Sequence, residues 1–180
     1  MLHKVNIAGL AMDPASNTPI ILLKTEEGDK TLPIWIGLLE ATSIASALQD
    51  IQFDRPMTHD LFKNLTQVLN VHINRIDICD LKDNTFYAEI HFASDERSFT
   101  MDARPSDAIA LALRFHAPIF VDERVMEKSR VGKETGEVLD DSEEGIKWAE
   151  YLEKLSPRAF SYSYRQHRML LLTSWSGTIF

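Results

Sequence analysis

Two short strings, Arg55-Pro56-Met57-Thr58-His59-Asp60 and Asp102-Ala103-Arg104-Pro105-Ser106-Asp107, hold most of the residues of this chain that can do chemistry together. Each follows an Arg-Pro with a hydroxyl and an aspartate. Residue types of this kind can take a proton from a water or hydroxyl and place positive charge on an anion such as a phosphate. His59, Asp60, Asp102 and Asp107, with Glu40 from another helix start, are of the types that supply the base or hold a divalent metal. Arg55 and Arg104 can grip the phosphate, because a guanidinium fork matches two of its oxygens. Thr58 and Ser106 add hydroxyls beside them, and each string opens a helix whose first N–H groups suit an anion.

The same residues have a structural reading. Thr58 and Ser106 cap helices, Asp60 and Asp107 complement helix dipoles, and Pro56 and Pro105 set the entry turns. Arg55 and Arg104 then pair with neighbouring carboxylates. His59 sits just inside a helix start beside an acid, where it serves either as a base near neutral pH or as a hydrogen-bonded cap.

The elements that must position these groups read as follows. Lys4 to Met12, Pro19 to Thr25 and Lys30 to Ile36 are strands, with Glu26-Glu27-Gly28-Asp29 turning the second into the third. A helix over Leu38 to Gln49 has small residues at Ala41, Ala45 and Ser46, with Leu39, Ile44 and Leu48 for packing. Thr58 to Asn70 is a second helix, with Leu61, Leu65, Val68 and Leu69 as its apolar face. A second set of strands covers Val71 to Leu81, Thr85 to Phe92 and Arg97 to Asp102. Pro105 then suits a first helical position, and Ala108 to Phe115 is apolar almost all round, which predicts a core helix covered on more than one side. Ile119 to Val121 is a short buried strand.

Sliding the first helix along by 67 positions lays Glu40-Ala41 on Asp107-Ala108 and Ile44-Ala45 on Leu111-Ala112. This pattern predicts an α+β fold of duplicated β-β-β-α units, a mixed or antiparallel sheet around buried Ala-rich helices. A pseudo-two-fold axis would put Glu40 and Asp107 at equivalent helix starts facing a shared cleft.

The strings RPMTHDL (Arg55 to Leu61), TFYAEI (Thr85 to Ile90), DARPSDAIALAL (Asp102 to Leu113) and PIFV (Pro118 to Val121), with LPIWIG and then Glu40-Ala41, resemble the bifunctional nuclease family. The resemblance covers roughly Leu2 to Val131. It implies an α+β domain and a nuclease acting on both DNA and RNA.

Other residue types say less. His3, His72, His91, His116 and His167 are scattered without the paired spacing of a zinc site, and Cys79 has no partner cysteine. A magnesium or manganese ion on one or two carboxylates would leave no such signature, so that cofactor stays open. Cys79 shares a strand face with Arg75 and Asp77 and reads as a passive thiol. Of the aromatic residues that can stack on bases, Trp35 and Phe99 read as core, whereas Tyr87 shares an outer face with Glu89 and His91.

At 180 residues the chain can bury one substantial core or two small ones sharing a sheet. A single cysteine fits a reducing compartment. The opening MLHKVNIAGLAMD lacks the apolar run of a signal peptide, and no stretch approaches the ~20 apolar residues of a membrane span, so a soluble cytoplasmic protein without membrane contacts is expected. The net charge of -8 argues against a protein that coats nucleic acid electrostatically and leaves room for a local basic cleft. Three segments are expected: a domain over 1–131, an acidic linker and helix over 132–156 with Ser142 as cap, and a basic, aromatic tail over 157–180 containing Arg158, Arg165 and Arg168.

Two functions from different classes follow. One is a nuclease on single-stranded or flexible DNA and RNA, using Arg55, His59, Asp60, Asp102, Arg104 and Asp107. The other is a non-catalytic oligomeric module that binds a small anion or a protein partner. A homo-oligomer is expected under either.

Overall fold

The computed structural model describes residues 1–14, 16–28 and 30–134. They form seven strands and four helices: β1 Leu2–Met12, β2 Pro19–Thr25, β3 Thr31–Trp35, α1 Leu38–Leu48, α2 Thr58–Val68, β4 His72–Lys82, β5 Thr85–Ala93, β6 Ser98–Ala103, α3 Pro105–Phe115, β7 Ile119–Asp122 and α4 Glu123–Glu134. The class is α+β. Among the described residues, no helix is long and apolar enough to cross a membrane.

The strands make one mixed sheet in the order β3-β2-β1-β7-β4-β5-β6. β7 lies antiparallel to β1 and parallel to β4; all other neighbours are antiparallel. A three-stranded meander therefore stands on each side of β7, and each meander is followed in the chain by a helix. Ile119 is opposite Val5 on one side and Ile76 on the other.

α3 is the buried helix that its sequence requires. Ala108, Ile109, Ala110, Leu111 and Ala112 are buried, because the helix lies against β4 and β5 and is flanked by both α1 and α2. Methyl-sized side chains let the helices approach closely while Ile109 fills the space toward the sheet; truncating Ile109 to alanine would cost about 2–5 kcal/mol. α1 contributes Ala41, Ile44 and Ser46 to the interior.

The helix ends share a device. Asp50, Asn70 and His116 adopt left-handed φ values of 49°, 52° and 53° after α1, α2 and α3. The N–H of the next residue then bonds back to a carbonyl of the last turn, as in Ile51 to Ser46, Val71 to Thr66 and Ala117 to Ala112.

Several expectations are corrected. Leu39 and Leu48, expected to pack α1, are exposed, as are Leu61, Leu65, Val68 and Leu69 of α2. Trp35 is half exposed, its indole N–H donating to Asp13 at 3.1 Å, because it ends a strand on the sheet edge. Phe99, read as core, stacks on Phe92 at 5.1 Å, while Met101 of the same edge strand is exposed. α4 has no counterpart in the sequence reading; buried Val125 and Met126 anchor it, too few apolar positions to show a period. It runs through the predicted boundary at 131 to Glu134. The linker and capped helix beyond it and the basic tail lie outside the described residues.

Candidate active site

Three helices present an acid at the same position, the third residue of the first turn: Glu40 in α1, Asp60 in α2 and Asp107 in α3. An acid there complements the positive helix end. What differs is where each carboxylate goes, and that is set by what precedes the helix.

In α3 the residue flanking the helix is Arg104 and the first helical residue is Pro105. Arg104 therefore folds back onto its own first turn, with Nε donating to Asp107 Oδ2 at 2.8 Å and Nη2 to Oδ1 at 3.2 Å. Its Nη1 reaches Glu40 Oε1 of α1 at 2.9 Å. Glu40 and Asp107, the two acids placed at equivalent helix starts, meet on one guanidinium. Three of the five N–H groups are spent in this way, and two remain on a side chain that is 66 % exposed.

His59 closes the cluster from α2. Its Nε2 lies 3.3 Å from Asp107 Oδ1, and its Nδ1 lies 2.9 Å from Ser43 Oγ of α1. With the ring proton on Nε2, donated to Asp107, Nδ1 accepts from the Ser43 hydroxyl. Burial pulls the Asp107 carboxyl up, but hydrogen bonds from Arg104 and His59 outweigh it and hold the group below its ordinary value. It is a stable anion, suited to orient a histidine.

Asp60 takes a different path. Its Oδ2 accepts the N–H of Met57 at 3.1 Å, and its Oδ1 accepts from Nε of Arg114. Arg114 is the sole charge in the apolar run of α3; only 7 % of its side chain is exposed, and its Nη1 also reaches the carbonyls of Ser43 and Ala110. Burial raises the Asp60 carboxyl, and the bonds from Arg114 and Met57 reverse that and lower it. Asp60 is a structural anion that locks α2 to α3, not a member of the His59 cluster.

The other predicted site residues are placed apart. Asp102 is opposite Glu89 in the β5–β6 register, on the sheet face away from Ala88 and Ile90 and the helices above them, so it cannot reach His59. Thr58 and Ser106 are not caps: Met57 and Arg104 occupy those positions, Thr58 is the exposed first residue of α2, and Ser106 is buried in the first turn of α3. Arg55, two residues before the cap of α2, is exposed. It lines a cleft of about 550 Å³ with Gln52, Phe53, Asn64, Gln67 and His116. That volume lies in the usual range for a small-molecule site. Lys63 also borders it but donates to the carbonyl of Arg114 at 2.7 Å, which completes the end of α3.

On the far face of the sheet, buried Asp77 accepts from Nε of Arg75 at 3.0 Å, and His91 Nε2 lies 2.7 Å from its Oδ2. Cys79 sits at a register shift beside it, its thiol donating to the carbonyl of Tyr87, and burial with the nearby Glu89 pushes it up. It is a poor nucleophile. Among the described residues no group of three or more His, Cys, Asp or Glu side chains converges in a way that could hold a metal ion.

Sequence reasoning missed Ser43 and Arg114. Arg114 was visible as a lone charge in an apolar run, which demands a buried partner. Ser43 had no signal, because only folding brings it to a histidine 16 residues away.

Comparison with known proteins bears on this geometry. A family model described as the bifunctional nuclease domain matches residues 21–134. An uncharacterized protein of Mycobacterium tuberculosis is 37% identical over 166 residues, covering 88% of this chain and 98% of the relative. Bifunctional nuclease 1 of Oryza sativa subsp. indica is 29% identical over 109 residues, 58% of this chain and 33% of that protein. Bifunctional nuclease 2 of Arabidopsis thaliana is 27% identical over 129 residues, 64% of this chain and 39% of that protein.

Proposed function

The chain belongs to the bifunctional nuclease domain family, and we propose that it hydrolyses phosphodiester bonds of DNA and RNA in single-stranded or flexible stretches. The observation that carries this reading is His59, held between the Asp107 carboxylate and the Ser43 hydroxyl beside a guanidinium with N–H groups to spare. A water nucleophile needs a base, and the base needs a group that fixes its tautomer; His59 and Asp107 supply these two, and the Ser43 hydroxyl marks where the water would sit.

In this mechanism the attacking oxygen is a water that takes the place of the Ser43 hydroxyl at Nδ1, and Ser43 turns to orient it. His59 accepts its proton as the water oxygen bonds to phosphorus, and Asp107 stabilises the imidazolium that results. The P–O bond to the leaving sugar oxygen breaks, and that oxygen takes up a proton from the imidazolium or from solvent water, which returns His59 to its neutral form. The two unspent N–H groups of Arg104 meet the phosphoryl oxygens as negative charge builds on them, while Glu40 keeps the guanidinium in place. Arg55 and the adjoining cleft hold the neighbouring nucleotide: Phe53 offers a stacking face, Gln52, Asn64 and Gln67 offer amide groups to a base edge, and Arg55 offers a phosphate contact. A base inside a duplex cannot enter such a cleft, which favours unpaired substrates. Action in the cytoplasm belongs to the same proposal.

The test is cleavage of labelled single-stranded DNA and RNA by the purified full-length chain, with and without a chelator. Cleavage that is lost in His59→Ala, with the fold intact by circular dichroism, supports the reading. The chelator arm decides whether a magnesium or manganese ion takes part. Absence of cleavage in every arm removes the reading. The second reading, a non-catalytic module for a small anion or a protein, is favoured by one observation: Arg104 and Arg114 are both already paired with carboxylates.

A further inference from the structure

α2 turns its apolar face outward. Met57, Leu61, Leu65, Val68 and Leu69 form a single stripe along the helix, and they are 52, 60, 54, 80 and 60 % exposed. No charged residue lies among them. The helix meets its own domain through the opposite face, where Phe62 packs on Phe92, His59 reaches Asp107, and Lys63 reaches the end of α3. Leu38 and Leu39 at the start of α1 are also exposed, at 68 and 82 %.

We infer that this stripe is the interface by which two copies of the chain form a symmetric dimer. Five large side chains left half or more in water amount to several hundred Å² of apolar surface, as much as the roughly 300–600 Å² of the largest patch on a typical monomer. That is also the larger part of the about 800 Å² that each partner gives to a stable interface. The stripe itself carries no charge, so two copies of a chain of net charge -8 meet on it without a like-charge pair at the seam. A two-fold axis across α2 sets the pair antiparallel, so that Met57 of one copy meets the Val68–Leu69 end of the other and the helix dipoles oppose. Asn64 and Gln67 lie on the flank of the same helix and line the cleft, so the dimer seam runs along the cleft's edge.

The experiment is the solution mass of the full-length chain by light scattering at micromolar concentrations, beside Leu61→Glu, Leu65→Glu and, as control, Thr100→Glu on the far edge strand. The expected result is twice 20.5 kDa for the parent and the control, and a single-chain mass for the α2 variants with unchanged circular dichroism. A Leu65→Cys variant gives an independent readout that does not load the stripe with charge: a bismaleimide should link it into covalent dimers and leave Thr100→Cys unlinked. A parent that runs as a monomer overturns the inference and leaves the stripe to another part of the chain or to a different protein. A dimer that persists in both glutamate variants, with no cross-link in Leu65→Cys, places the interface elsewhere and overturns it equally. Because mass is read without substrate, the result is independent of whether the chain cuts nucleic acid.

Discussion

The two Arg-Pro strings look alike in sequence and are used in opposite ways. In Arg104-Pro105 the proline is the first helical residue, so its arginine flanks the helix directly and is drawn onto Asp107 and across to Glu40. In Arg55-Pro56 the proline precedes the flanking Met57, so the arginine falls two residues out and faces the cleft without an ion pair among the described residues. A shift of two positions relative to the helix start separates a guanidinium fixed in the His59 cluster from an open one beside a cavity. The spacing of the dipeptide to the helix boundary, more than its presence, carries the information.

The sharpest way to break this comparison is His59→Ala. General base catalysis contributes about 10²- to 10⁴-fold, and cleavage should fall within that range while substrate binding holds. An unchanged rate would remove the α3 cluster from the chemistry. Arg114→Ala should come next, through stability rather than catalysis. It leaves the Asp60 carboxylate without its cation and takes a donor from the carbonyls of Ser43 and Ala110, a loss of roughly 2–4 kcal/mol in chemical denaturation. Arg55→Ala touches the open string only and should raise KM about tenfold, about 1.4 kcal/mol, with kcat and stability held.

Gly37→Ala is a finer probe. A methyl group at Gly37 would collide with Glu40 Oε2, while its φ of -72° suits alanine. The Glu40 carboxylate must move and Arg104 loses one of its two anchors. A few-fold loss of rate is expected with little change in melting temperature.

The smallest effect concerns pH. Asp107 is held below its ordinary value in the fold, so its contribution is present above the unfolded value and is lost as pH falls through the lowered one. Melting temperature should therefore decline below about pH 4. Arg104→Gln removes the main lowering partner and should flatten that decline, by no more than about 1 kcal/mol because the guanidinium is largely exposed.

Strands and the core helix were legible because their signals are local. Alternation marked β5, Pro105 marked the start of α3, and the all-round apolar run marked its burial. The direction of the α2 stripe was not legible for a physical reason: periodicity shows that a helix has an apolar face but not what covers it, and Leu61 or Val68 looks the same facing a core or a partner. The site was half legible. Glu40, His59, Arg104 and Asp107 do converge, because acids at helix starts and the alignment of α1 with α3 carried enough information. Asp102 failed because a strand residue next to a site in sequence points to the other face of the sheet. Ser43 was invisible because its role depends on a contact between helices.

The measurement that tests the account most directly is the single-turnover cleavage rate and the binding constant of one labelled single strand, taken side by side for Arg104→Ala and Arg55→Ala. The account predicts a crossed pattern: Arg104→Ala slows the bound-state rate with little loss of binding, and Arg55→Ala weakens binding with the bound-state rate intact. Equal behaviour of the two variants, in either quantity, would contradict the division of labour between the strings.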